Sequence, residues 1–382
     1  MGIAFGPALQ GQFNQLKSLI DLAIALAAMG MPQALYIYVQ SGRISMNQAW
    51  RISLGVGGLG LGTGAVVMLW SMGANPALLA LTGATVVAGC LHAQWRALVL
   101  LSPQTILFNL VTVTPQLLLL PLAAWVVLFA KTSLLALSSA MFLVWVTAAV
   151  SAGLVVAKLP TETSVRFAPQ LRALFAHGLS TGLTAVFAIL ATVLLQKAAQ
   201  QSTGNTGLGL ISMALLLAQI PLTPLNYALP LLLRNRLAQA KTSNHQHKAA
   251  LISTLSMVML AGVVWGLGHI RSDMWLGAAY SGLHVLLTMF LVAGAAEVAL
   301  RFGSIEAQAT LKPWKIAVAE GIRICTLTGL WFATLDQKSA HTLPQLAAGW
   351  LIASIMAVVA LKVCTFFSRR NVTPKDPTSF TS

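Results

Sequence analysis

Charge is what this sequence has least of. Asp, Glu, Lys and Arg make up 8% of its 382 residues, against about 25% in an ordinary soluble domain. So few charges cannot cover a water-facing surface. With 57% hydrophobic residues and a mean hydropathy of +0.80, the composition excludes a soluble enzyme and indicates a polytopic membrane protein. Acidic residues are the scarcer sign, 8 against 23 Lys plus Arg, for a net charge of +15. The basic residues lie scattered between apolar runs and form no compact patch, which argues against nucleic acid as a partner. Cysteine is nearly absent. Cys90, Cys325 and Cys364 fall inside apolar runs with no CxxC pair and no ligand spacing, so they read as packing residues and no metal is expected. A cleavable signal peptide is not evident, since the N-terminus has no basic region ahead of its first long apolar stretch. Long loops are missing too, which leaves no room for an extramembrane catalytic domain. The expectation is a protein that is not an enzyme and has no catalytic residues.

What the chain has in quantity is apolar length. A spanning helix needs about 20 apolar residues, and eleven runs qualify: 16–39, 52–74, 76–95, 104–129, 133–157, 173–197, 207–231, 249–270, 274–299, 314–335 and 344–366. Glycines and prolines inside them, such as GVGGLGLGTG at 55–64, are tolerated in lipid because neighbouring helices satisfy the freed backbone groups. The expected fold is therefore an all-α polytopic membrane protein of about 11 transmembrane helices.

A shift of 198 positions lays Gly6, Gly11, Pro32 and Leu35 on Gly204, Gly209, Pro230 and Leu233. In both copies a glycine turn opens an apolar run, a proline interrupts it, and arginines follow, Arg43 and Arg51 in one and Arg234 and Arg236 in the other. This predicts two pseudo-repeated lobes. The second copy is preceded by a full apolar helix that has no counterpart before Gly6, so the first lobe is expected to be one helix short. The boundaries read as an N-terminal lobe of five helices at 1–158, a cytoplasmic inter-lobe linker at 159–172, a C-terminal lobe of six helices at 173–370, and a disordered cytoplasmic tail at 371–382. Basic residues alternate between the connections, sixteen on one side and five on the other, with Arg323 and Lys362 inside helices. The positive-inside rule puts the richer side, and the C-terminus, in the cytoplasm.

Two stretches carry a family resemblance. Gly11–Val39 (GQFNQLKSLIDLAIALAAMGMPQALYIYV) resembles the second helix of polysaccharide, O-antigen-type flippases of the multidrug/oligosaccharidyl-lipid/polysaccharide exporter superfamily. Leu174–Leu237 resembles their seventh and eighth helices, with His177-Gly178 at the start of a long apolar helix, a glycine turn, and then GLGLISMA. Ala299–Lys315, followed by a helix, is a weaker echo. The chain departs from the family in its missing first helix, and in reading Leu194-Leu195-Gln196-Lys197 where an acidic residue is common. The resemblance implies a transporter of the bacterial inner membrane whose two lobes face each other around a central cavity. It would flip a lipid-linked, polyprenyl-diphosphate oligosaccharide from the cytoplasmic to the periplasmic leaflet by alternating access. No cofactor is implied, coupling to H+ or Na+ is left open, and the partners are the lipid-linked oligosaccharide, membrane lipids and, left open, other polysaccharide-assembly membrane proteins. The alternative is a cation or drug exporter of the same superfamily, for which Asp21, Glu297 and Glu320 are the available intramembrane carboxylates.

Ionisable side chains inside a membrane are costly and mark candidate sites. Lys17 and Asp21 share a helix face at i and i+4, either as a substrate contact or as an intrahelical pair. Glu320 and Arg323, at i and i+3, lie deeper, with Arg323 roughly 13 Å from the start of its run at 1.5 Å per residue. They form either a structural pair or a phosphate-binding site, to which arginine is suited. His177 and Lys197, at the two ends of 173–197, either mark a path for an anionic headgroup or are interfacial residues. Glu297 is expected at the cytoplasmic interface beside Arg301, and His92, His269 and His284 as packing residues. Pro32, Pro221, Pro224 and Pro230 are the candidate hinges, since each removes an intrahelical hydrogen bond.

Overall fold

The computed structural model describes residues 2–72, 76–129, 133–159, 171–239, 244–270, 280–310, 312–335 and 343–370. The linker residues 160–170 and the tail 371–382, to which expectations were attached above, lie outside the described residues. The described chain is helical: α1 (Gly2–Ala28), α2 (Met31–Gln40), α3 (Met46–Met72), α4 (Pro76–Val99), α5 (Thr105–Phe129), α6 (Leu134–Ala157), α7 (Leu171–Gln219), a 3₁₀ turn (Ile220–Leu222), α8 (Thr223–Gln239), α9 (Asn244–Ile270), α10 (Leu283–Ala309), α11 (Trp314–Leu335) and α12 (Leu343–Arg370). By length and composition seven described helices can each cross a membrane, or eight when α1 and α2, bent by 42°, count as one.

One of those seven is a run of 65 residues, Leu171–Asn235, which is two spans rather than one. Gly204 breaks α7 with φ 70 and ψ −164, and the Gln196 amide donates to the Ser212 hydroxyl at 3.4 Å. On a straight helix sixteen residues would separate them by about 24 Å. The chain therefore folds back at Gly204. Its repeat partner Gly6 breaks α1 with nearly the same geometry, φ 69 and ψ 167, a left-handed φ that only glycine adopts without strain.

The repeat extends beyond these glycines. Shifting α3 (Met46–Met72) by 198 gives the bounds of α9, Asn244–Ile270. Both helices sit on the periphery: α3 turns Leu59, Val66 and Leu69 outward, and α9 turns Leu251, Ile252 and Met259 outward, as lipid-facing helices must. After α9 the offset grows, and the starts of α4 and α10, α5 and α11, and α6 and α12 lie 207 to 209 residues apart. That growth corrects one expected span. The run placed at 274–299 is a helix from Leu283 to Ala309. Gly282, with φ 78, sets its start, and hydrogen bonds keep its polar end helical, among them Gln308 to the Ser304 hydroxyl and Thr310 N–H to the Glu306 carbonyl.

In lipid, apolar side chains gain little by leaving their solvent, so close packing must hold helices together, and small residues permit it. α1 runs antiparallel along α7. A Cβ on Gly11 would lie 2.7 Å from the Gly209 nitrogen, and one on Gly182 would lie 2.3 Å from the Met29 carbonyl carbon. Gly11 and Gly209 are repeat partners, so the halves meet at equivalent residues, as they do around a two-fold axis. Around this seam α1, α3, α4, α5 and α6 pack together in the first half, and α7, α9, α10, α11 and α12 in the second.

Candidate functional site

A cavity of about 490 Å³ opens among α1, α2, α4, α5 and α6, with Ala185 and Ile189 of α7 as its far wall. Its size falls in the range of roughly 300–1,000 Å³ usual for small-ligand sites. Lys17, Asp21 and Pro32, all singled out in the sequence, line it. The Lys17 ammonium and the Asp21 carboxylate form an ion pair at 2.5 Å, set up by one helical turn. Arg96, in the last turn of α4, lines the cavity as well. Its electrostatic neighbour is the Tyr227 phenol, and among the described residues no carboxylate lies within ion-pair distance of it. The cavity thus holds two fixed cations against one carboxylate.

His92, one turn before Arg96, also lines the cavity. Its Nε2–H donates to the Val111 carbonyl at 3.2 Å, and its ring meets Trp145 edge-on at 5.4 Å. The reason lies four residues beyond Val111. A carbonyl in a helix is served by the N–H of residue i+4, and Pro115 has none. His92 therefore replaces a backbone donor, which fixes its tautomer and ties α5 to α4.

The remaining sequence candidates lie elsewhere. His177 is buried on α7, with its ring 6.4 Å from that of Tyr38 and its Nε2 without a hydrogen-bond partner in the structure. Lys197 is half-buried on α7 near the Gly204 turn and does not line the cavity. Pro221 lies in the 3₁₀ turn, Pro224 at the start of α8, and Pro230 within α8. Pro32 follows a break at which Met29 and Gly30 both have positive φ, 42 and 67. It opens α2, whereas its repeat partner Pro230 sits in continuous helix.

Glu320 and Arg323 belong to a network in the second half. Arg323 is 1% exposed. Its guanidinium bonds the Glu320 carboxylate at 3.2 Å, pairs with Glu297 of α10, and stacks over the Trp350 ring at 4.2 Å. Glu297, expected beside Arg301, lies beside it and is also a partner of this buried arginine. Arg301 lies 4.0 Å from Glu297 and donates to the Gln219 side chain at 3.0 Å, beside the 3₁₀ turn. The sequence reading named Glu297 but not its pairing with Arg323, because that partner is on another helix, and it missed Arg96 because it counted that residue only among the charges flanking a span. The i, i+4 spacing of His92 and Arg96 was the available signal.

No protein-family model matches the sequence, and no curated protein matches it. Solved structures do. An inward-facing multidrug resistance MATE family transporter of the MOP superfamily superposes with a TM-score of 0.62 at 14% identity, over 97% of this chain and 95% of that one. An outward-facing form of such a transporter gives 0.60 at 14%, over 96% and 86%. A MOP superfamily transporter from Pyrococcus furiosus, described as having a binding pocket of reverse polarity, gives 0.59 at 14%, over 95% and 86%. The chain therefore has the fold of the MATE transporters.

Proposed function

We propose that this protein is an alternating-access carrier for an anionic lipid-linked oligosaccharide, moved from the cytoplasmic to the periplasmic leaflet of a bacterial inner membrane. The observation that carries the reading is Arg96, a cation in the last turn of α4 that lines the cavity with no carboxylate within ion-pair distance among the described residues. A partly buried cation inside a helix bundle invites an anion to complete it, and a guanidinium suits the oxygens of a diphosphate. The cavity volume fits the diphosphate and the first sugar, with the lipid tail left in the bilayer. Lys17 and Asp21 then offer a polar pair to the sugar end, where a full second positive charge would hold the substrate too tightly to release.

Proteoliposomes containing a fluorescent polyprenyl-diphosphate oligosaccharide test this. Losing one charged hydrogen bond costs about 1.5–3 kcal/mol, so Arg96→Ala should slow flipping by roughly 10- to 150-fold at equal protein level, with Arg96→Lys in between. Flipping at the wild-type rate in Arg96→Ala would remove this residue from the substrate path. Extrusion of a substituted-ammonium dye by wild-type protein that does not flip the lipid would instead favour the cation-exporter reading.

A further inference from the structure

The second half holds a denser cluster of charge than the cavity does, and none of Glu297, Arg301, Glu320 and Arg323 lines that cavity. Two carboxylates on different helices, Glu297 on α10 and Glu320 on α11, converge on one point, and the Arg323 guanidinium occupies that point. The Trp350 ring of α12 covers the guanidinium from one face, and Phe290 of α10 packs edge-on against Trp350, 6.4 Å away. Two facing carboxylates at membrane depth repel each other unless a cation lies between them. Nothing about that requirement specifies a guanidinium; a small inorganic cation with oxygen ligands would meet it as well. The difference is that an inorganic cation can leave. The network also reaches a place where movement would matter, since Arg301 bridges Glu297 to Gln219 and, at 3.5 Å, to the Leu222 carbonyl of the proline-broken turn between α7 and α8.

We propose that Arg323 is a tethered counter-cation: its guanidinium permanently holds the place between Glu297 and Glu320 that an exchangeable cation such as Na+ would otherwise fill, so this half of the carrier cycles without loading one there. The meaning of the proposal rests on the transport reading above, while its geometry does not. The turn at Pro221 is then held by covalently anchored charge throughout the cycle, and the two halves differ in kind, a substrate-facing cation in the first and an internally paired one in the second.

The test is the thermal unfolding of the purified full chain in lipid nanodiscs, in Na+ and in choline at equal ionic strength. Wild type should unfold at the same temperature in both. Arg323→Ala uncovers two facing carboxylates, so its unfolding temperature should fall in choline and recover by several degrees in Na+ with a saturable dependence, as binding to the folded state requires. That recovery should vanish in Arg323→Ala/Glu297→Gln. Saturable Na+ stabilisation of wild type that Glu297→Gln removes would overturn the proposal, as would a folded Arg323→Ala indifferent to Na+. Should Arg323→Ala fail to fold, the wild-type comparison still decides, together with Arg323→Lys, which retains a cation and should be indifferent to Na+. Because the readout is stability, failure here leaves the role of Arg96 standing, and failure of the flipping assay leaves this result standing.

Discussion

A single proline explains why a histidine faces the cavity. Pro115 withholds the N–H that the Val111 carbonyl would otherwise accept from, and His92 supplies a substitute from α4. The proline and its consequence for the backbone could be read in the sequence; the replacement donor could not, because it lies 19 residues from Val111 on another helix and any polar side chain in the right place would serve. The same limit hid Glu297 from its arginine, whereas the Lys17–Asp21 pair, set by helical spacing alone, was legible. The argument predicts a coupling. His92→Leu leaves a buried carbonyl unsatisfied and should cost about 1–3 kcal/mol, measured by denaturant unfolding in detergent. In a Pro115→Ala background residue 115 can again donate, so the same substitution should cost markedly less. Additive costs in the double-mutant cycle would mean that the two residues act independently.

At the scale of helices, the hydropathy runs located the elements because lipid demands apolar length, and the glycines at Gly6 and Gly204 marked real breaks because few other residues tolerate that backbone. The start of α10 was misplaced for the same reason the other helices were found: the residues ahead of Gly282 are nearly as apolar as the helix itself, and hydropathy does not see a left-handed glycine. Close approach was equally invisible. Gly209 and Gly62 look alike in sequence, yet a Cβ on Gly209 would lie 2.0 Å from the Pro7 carbonyl oxygen, while one on Gly62 meets nothing within 4 Å. Gly209→Val should therefore force α1 away from α7 and cost at least 1–3 kcal/mol, the usual range for overpacking. Gly62→Ala should leave stability unchanged or raise it by about 0.5–1 kcal/mol, as alanine does in a helix. Unfolding of both variants under identical conditions checks the pair, and equal behaviour would mean that the seam is not held by glycine contact.

Across the whole molecule the halves are bridged at two separated levels. Towards the end holding Gly6 and Gly204, the Gln15 amide donates to the Gln200 side chain at 3.0 Å. Towards the end holding the arginines, Arg234 of α8 donates to the Ser102 carbonyl at 3.1 Å, and Tyr227 and Gln116 are hydrogen-bonded at 3.2 Å. On the transport reading proposed above, exposing the cavity alternately means breaking one set while keeping the other. Each such bond contributes only about 0.5–1.5 kcal/mol net, small enough that binding a substrate can decide which set yields. Joining the halves covalently should then stop the cycle from either level. Gln15→Cys/Gln200→Cys bridged by a short bifunctional thiol reagent should abolish flipping in proteoliposomes, and so should Ser102→Cys/Arg234→Cys, while the same proteins before bridging retain activity. If the bridged proteins still flipped lipid, the seams at these levels would be fixed joints, and the cavity would have to open by movement within the first half alone, where α5 with its paired Pro115 and His92 is the element able to bend.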